Sequence, residues 1–297
     1  MHFPILEVTV LGLANGAIYA LTALGLSLVY KATRVVNFAQ GEIGTLAAFV
    51  AWEVVVKAHQ SWAEGALAAV AVAAAVGWLM HRFVATPMRN ASRVSVMIAT
   101  LGVAFLLFGV EAKLFGPSPE ILPPPLARSS FTGVTVGGYL LTPVYLFALA
   151  AAAVAAAVFA TVLRRTRFGL GVLASAQDPE TARLLGVPAA RVSAFTWIAA
   201  AVLGAVAGLL TAPTQGVFYP FFMSGTLFFR GLVAALIGGL GSLSGAVVGG
   251  LVVGVVEAYS IEQFIHSPGL PEVVLLVLVL AVLLLRPQGL VARRALA

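Results

Sequence analysis

Apolar residues run along this chain in long blocks, near positions 6–30, 36–56, 65–81, 94–112 and 138–163, and again from 192 onward. About 18 apolar residues suffice to span a bilayer as a helix. The longest charge-free run, Val192 to Phe229, is about twice that threshold, and the region to Glu257 divides into spans near 192–212, 221–238 and 244–257. The break between the last two is GGLGSLSG, Gly238 to Gly245. Even apolarity rich in Ala, Leu and Gly favours helices over the alternating pattern of a barrel, because backbone groups in lipid must bond within the segment. The pattern predicts an all-α polytopic membrane protein. It forms one transmembrane domain over 1–297, with eight or nine membrane segments and a glycine-rich broken or re-entrant region in its second half.

Short loops rich in Lys and Arg stay on the cytosolic side. The richest runs are Arg164, Arg165 and Arg167, continued by Arg183 and Arg191, which marks 164–191 as a cytosolic loop. Counting back places Arg82, Arg89, Arg93, Lys31 and Arg34 inside, and puts the N-terminus and the proline-rich link Pro117 to Leu126 outside. The C-terminal Arg286, Arg293 and Arg294 belong inside, while the stretch Ala258 to Glu272, with Glu257, Glu262 and Glu272 but no cation, suits the outside. Arg230 falls mid-segment. It points to a helix that enters from a water-lined cavity or does not cross fully.

Composition agrees: 61% hydrophobic and 9% charged residues, with a mean hydropathy of +1.05, leave too little polar surface for a soluble protein. The formal charge of +6 fits basic cytosolic loops and not nucleic-acid binding, since no basic and aromatic patch accompanies it. Zero Cys excludes disulfides, thiolate metal sites and Cys nucleophiles. MHFPILEV carries no Lys or Arg before the first apolar run and no small-residue cleavage site follows, so that run is a retained span.

Three motifs stand out. In VVNFAQGEIGT, Asn37 and Gln40 have the spacing of a capping box, and Glu42 would face the positive end of the helix dipole. They predict a membrane helix beginning at its cytosolic edge. On a helical wheel Asn37, Gly41, Gly44 and Ala48 share one side and Glu42 lies on another, so one reading is a cap with a small-residue packing face. The other makes Asn37, Gln40, Glu42 and Arg230 candidates for a transport route or gate, because intramembrane charge is costly.

The second motif, AQDPETARLLGVP, has the grammar of a short helix: Asp178 as N-cap, Pro179 at the first position, Gly186 in the left-handed C-terminal position and Pro188 beyond. Ala182 and Gly186 lie one turn apart. A helix so punctuated in a basic loop suits docking to a cytosolic partner better than a passive connector. The third is the glycine series, in which Gly238, Gly239, Gly241, Gly245 and Gly249 allow close helix approach or a hinge. No Lys followed by Ser or Thr follows these glycines, so they are not a nucleotide-cradling loop.

His2, His59, His81 and His266 have no metal-ligand spacing, and no hydrolase motif is present. Glu111 and Lys113, at a span end, read as interfacial charges. The chain is expected to be a transport subunit and not an enzyme, with no metal and no cofactor of its own.

Together NFAQGEIGTLAAF, the stretch from AQDPETARLLGVP through VLGAVAGLL, RGLVAALIGGLGSLSGAVVGGLVVGVVE and the ending LLLRPQGL resemble the bacterial branched-chain amino-acid ABC transporter permeases, H-type subunit. The resemblance covers nearly the whole chain, with the motifs in the family's order. It implies an inner-membrane permease working with a homologous M-type permease, two cytosolic ABC ATPase subunits that bind ATP and Mg, and a periplasmic substrate-binding protein. It also implies that the short helix is a coupling helix: Glu180, Ala182 and Gly186 keep the family's spacing, Thr181 replaces one Ala, and Asp178, Arg183 and Leu185 join them as candidate ATPase contacts. The expected cargo is a branched-chain or other hydrophobic amino acid, with urea, an amide or an aromatic acid as the alternative. An ion-driven secondary transporter is the competing class.

Overall fold

A computed structural model describes residues 5–125, 132–136, 139–177, 179–264, 267 and 269–291. His2, Asp178, Leu126, His266, Arg293 and Arg294 lie outside the described residues, as do the side chains of Glu180 and Arg183. The chain order is α1 (Ile5–Thr33), α2 (Gln40–Trp52) with a π-helical turn (Glu53–Lys57), α3 (Trp62–Met80) with a second such turn (His81–Ala85), α4 (Arg93–Phe115), α5 (Pro143–Arg165), α6 (Arg167–Gln177), α7 (Pro179–Leu184), α8 (Ala189–Gln215), a third π-helical turn (Met223–Leu227) running into α9 (Phe228–Gly238), α10 (Leu243–Gln263) and α11 (Leu270–Leu285).

Local chemistry sets several of these boundaries. Ser61 and Glu64 form a reciprocal capping box at the start of α3, Ser92 and Ser242 cap α4 and α10, and Pro143 occupies the first turn of α5. Among the described residues six helices are long and apolar enough to cross a membrane: α1, α3 with its π turn, α4, α5, α8 and α10. The expected eight or nine segments are thus matched at six. The runs Met223–Gly238 and Leu270–Leu285 are shorter, and α2 is 13 residues long before its π turn.

Two local corrections follow. Where a span was expected from 138, the strands Val134–Val136 and Tyr139–Leu141 pair antiparallel and α5 starts only at Pro143, since β-branched and aromatic residues with a proline beyond them favour extended backbone. The third span of the second half was expected to end at Glu257. Helix α10 runs on to Gln263, carrying Glu257 inside the bundle.

Helices α1 and α8 cross at the centre, α1 packing along α9 and α10 and α8 along α2 and α3. The two halves repeat one plan, each with a long helix, a non-helical link (34–39 or 216–222), a short helix and a returning long one. Internal repeats with interrupted helices recur among transporters. Glycines permit the close crossings: a Cβ on Gly208 of α8 would lie 2.1 Å from the Gly44 carbonyl oxygen of α2.

The start of α2 departs from expectation. Its link is buried at Val35, Asn37 and Ala39, and the Phe38 N–H donates to Thr100 Oγ1 at 3.1 Å. Thr100 lies seven residues into α4, about 10 Å along it at 1.5 Å per residue. Helix α2 hence begins well inside the bundle and not at its edge. Polar side chains make this possible, because non-helical backbone at that depth needs partners for its N–H and C=O groups.

Candidate functional site: the junction of two interrupted helices

At the head of α2 the polar side chains serve the backbone. Asn37 Oδ1 accepts from the Ala39 N–H at 3.1 Å, Asn37 Nδ2 donates to Gln40 Oε1 at 3.4 Å, and Gln40 Nε2 crosses to the Ala200 carbonyl of α8 at 2.7 Å. The predicted capping box is not formed: the N-cap is Ala39, without a side-chain cap, because Asn37 closes a turn and Gln40 is drawn to α8. Gln40 fills a slot that side chains at Gly25 and Gly204 would close, a Cβ there lying 2.4 and 2.9 Å from its Nε2. Asn37 and Gln40 are accordingly engaged in holding the link. Gly41 and Gly44 do form a packing face, against Ser224 and against Gly204 and Met223.

Glu42 behaves differently. It is fully buried, and around it stand Ser224, Glu111, Thr45 and the Phe221 backbone. Glu111 is also fully buried, against Glu42 and the same Phe221 backbone. Among the described residues none of the four carboxylate oxygens has a hydrogen-bond partner of good geometry, and neither has the Ser224 hydroxyl. Phe221 adopts φ +77°, a region that bulky residues rarely enter, and its ring meets Phe108 edge-on at 5.7 Å between centroids. The site is built where α2, α4 and the 216–222 link converge.

Two expectations are overturned here. Polar groups do converge on Glu42, although the converging carboxyl comes from α4 and not from the Glu42 helix. Glu111 is not an interfacial charge paired in role with Lys113, which is exposed on another side of α4. A signal for this was present in the sequence: Thr100, Ala104, Leu107 and Glu111 recur at helical spacing and form the buried stripe of α4.

Arg230 has a separate set of partners. Its Nε donates to Glu257 Oε1, Tyr19 Oη donates to Glu257 Oε2, and the guanidinium lies 3.7 Å from Glu272. The awkward mid-segment cation is thus neutralised inside the protein, joining α9, α10 and α11 with α1. It is not brought together with Asn37, Gln40 or Glu42. Glu257 and Glu272, assigned by sequence to an outside loop, are the residues that answer it.

The glycine series shapes the α9–α10 hairpin. Gly238 and Gly245 bring their backbones together, a Cβ on either meeting the other's carbonyl oxygen at 2.0–2.1 Å, and Gly249 sits equally close to the Ala234 carbonyl. Gly239 and Gly241 take positive φ in the turn between.

At the basic end of the bundle, α6 lies across the end of α5 and packs on α8, with Phe168 stacked on Phe195 at 6.0 Å. Helix α7 follows it. Gly186 has φ +80°, and the Val187 N–H reaches back to the Ala182 carbonyl at 2.9 Å, closing the helix with a left-handed C-terminal motif. Ala182 is buried and anchors the helix, whereas Leu184 and Leu185 are 87% and 79% exposed. The two leucines, and not the small residues, form the outward apolar surface. Two cavities of about 510 and 560 Å³ open at this same end, the first lined by Thr33, His81, Arg89, Arg93, Ser193 and Trp197, and neither lined by the proposed gate residues.

Residues 8–283 match the family described as branched-chain amino acid transport system, permease component. The high-affinity branched-chain amino acid transport system permease protein LivH of Escherichia coli (strain K12) is 31% identical, over 95% of this chain and 94% of its own length. The corresponding protein BraD of Pseudomonas aeruginosa is 28% identical over 97% and 96%. A probable LivH of Methanocaldococcus jannaschii is 28% identical over 91% and 87%.

Proposed function

The chain belongs to the permease-component family of branched-chain amino acid transport systems, and from that premise we propose that it is one half of the translocation route of an ATP-driven importer for leucine, isoleucine and valine. The other half is a homologous M-type permease. Two cytosolic ATPase subunits hold ATP and Mg, and a periplasmic binding protein delivers the cargo. The basic end faces the cytosol and the N-terminus the periplasm, in a bacterial inner membrane. The shorter runs Met223–Gly238 and Leu270–Leu285, together with α2, complete the membrane segments beyond the six long spans.

The observation that carries the coupling role is α7: a closed short helix held on α6, ending in two leucines that water would otherwise surround. Apolar surface of that kind at the end of a permease suits burial in a groove of a partner. Movement of the ATPases would displace α7 and α6 together. Packed helices pass such displacement on by shifting between discrete arrangements.

One observation favours a second reading, an ion-driven carrier: the buried Glu42 and Glu111 are the convergent ionisable groups such a protein uses. Family membership and α7 weigh for ATP. Co-purification tests the choice. The permease pair should retain its ATPases, and Leu184→Asp with Leu185→Asp should release them while both permeases stay inserted. Unchanged retention would remove the coupling role from α7.

A further inference from the structure

We propose that Glu42 and Glu111 form a proton site: one exchangeable proton shared between two carboxyls, fastening the head of α2 to α4 beside the 216–222 link. The pair is fully buried and its members lie against each other, with no hydrogen bond of good geometry to any oxygen among the described residues. An independent observation points to the same place. Ser224, only 7% exposed, lies against Glu42 with its hydroxyl unpartnered.

The charges around the pair decide what it holds. From α4 comes Glu111, from the third π-helical turn Ser224, from the link the Phe221 backbone and from α2 itself Thr45; among the described residues no Lys, Arg or His stands against either carboxyl. Two adjacent carboxylates without a cation repel at short range in a medium that screens poorly. One negative charge is tolerable here, because Glu42 lies in the first turn of α2 and near the start of the π turn, where helix N-termini favour an anion. The second carboxyl then needs a proton, taken from water. Once bound, that proton gives one oxygen a donor and another an acceptor, which meets part of the pair's missing hydrogen bonding.

When the proton leaves, two like charges remain in contact and α2 is pushed from α4. The inference does not rest on the cargo or on ATP coupling.

The test is infrared difference spectroscopy on the complete transporter in nanodiscs, comparing wild type with Glu111→Gln and, separately, Glu42→Gln. Either amide can donate to the remaining carboxylate as the shared proton does, so both variants are expected to fold. Wild type should show a protonated-carboxyl carbonyl band that shifts in D2O and is absent from both variants. A band that persists in both variants, or was never present, would overturn the proposal, the latter outcome meaning that another cation balances the pair. If one variant does not insert, the other carries the comparison. Leucine uptake plays no part in this readout, so its result stands apart from that of the import reading.

Discussion

Gly208→Ala should destabilise the permease by more than its single methyl group suggests. The added Cβ would sit 2.1 Å from the Gly44 carbonyl oxygen and 2.6 Å from the carbonyl carbon. Both atoms belong to the backbone of α2, so no side chain can swing aside. Helices α2 and α8 must part by about an ångström, and overpacking of this kind costs about 1–3 kcal/mol. The same substitution at Gly102 of α4 has nothing within 4 Å to meet. It removes a flexible residue from a helix and should gain up to about 1 kcal/mol. The difference between the two variants is then about 1–4 kcal/mol, roughly fivefold to several hundredfold in the unfolding equilibrium. Melting of the purified permease, followed by intrinsic fluorescence in one detergent, gives the ranking, with Gly102→Ala at or above wild type and Gly208→Ala well below it. If Gly208→Ala melts with Gly102→Ala, the close contact that seats α2, and with it the placement of Gln40 and Glu42, is wrong.

Arg230→Ala strands the buried Glu257 without its cation and should cost about 3–5 kcal/mol; melting of Arg230→Met combined with Glu257→Gln should recover most of that loss, and failure to recover would mean that Arg230 acts outside this pair. Gln40→Ala deletes the bond to the Ala200 carbonyl and leaves Asn37 Nδ2 without its acceptor, for a loss of about 1–2 kcal/mol. Hydrogen exchange should rise at 35–40 first, and uniform exchange would show that Gln40 does not hold the link. Leu184→Ala with Leu185→Ala should weaken ATPase binding by about 3 kcal/mol, roughly a hundredfold, if both exposed side chains are buried on docking. A titration showing equal affinity would place the contact elsewhere.

Long apolar runs and cap residues made most helices legible, since each run has to bond its own backbone and Ser61, Ser92, Ser242 and Gly186 mark ends by local chemistry. The start of α2 was not legible, because its edge-like motif is satisfied by Thr100 and Ala200, residues far along the chain. Glu111 and Glu257 were misplaced for a related reason. Position near a helix end suggested exposure, while the face of the helix decides burial: Glu111 continues the Thr100, Ala104, Leu107 stripe, and Glu257 continues the Gly250, Val253, Gly254 face of α10 that packs on α1. Arg230 looked anomalous only because its carboxylates stand on other helices. Ala182 is buried while Gly186, one turn on, is exposed beside Leu184 and Leu185, because a six-residue helix turns only part of one face inward.

The most direct measurement is uptake of radiolabelled leucine into proteoliposomes holding this chain, its partner permease, both ATPases and the binding protein, with urea as a control solute. The account predicts leucine accumulation that requires ATP, the ATPases and the binding protein, survives a protonophore and leaves urea outside. Accumulation without ATPases, driven by a proton gradient, would contradict it and make the Glu42–Glu111 junction the motor.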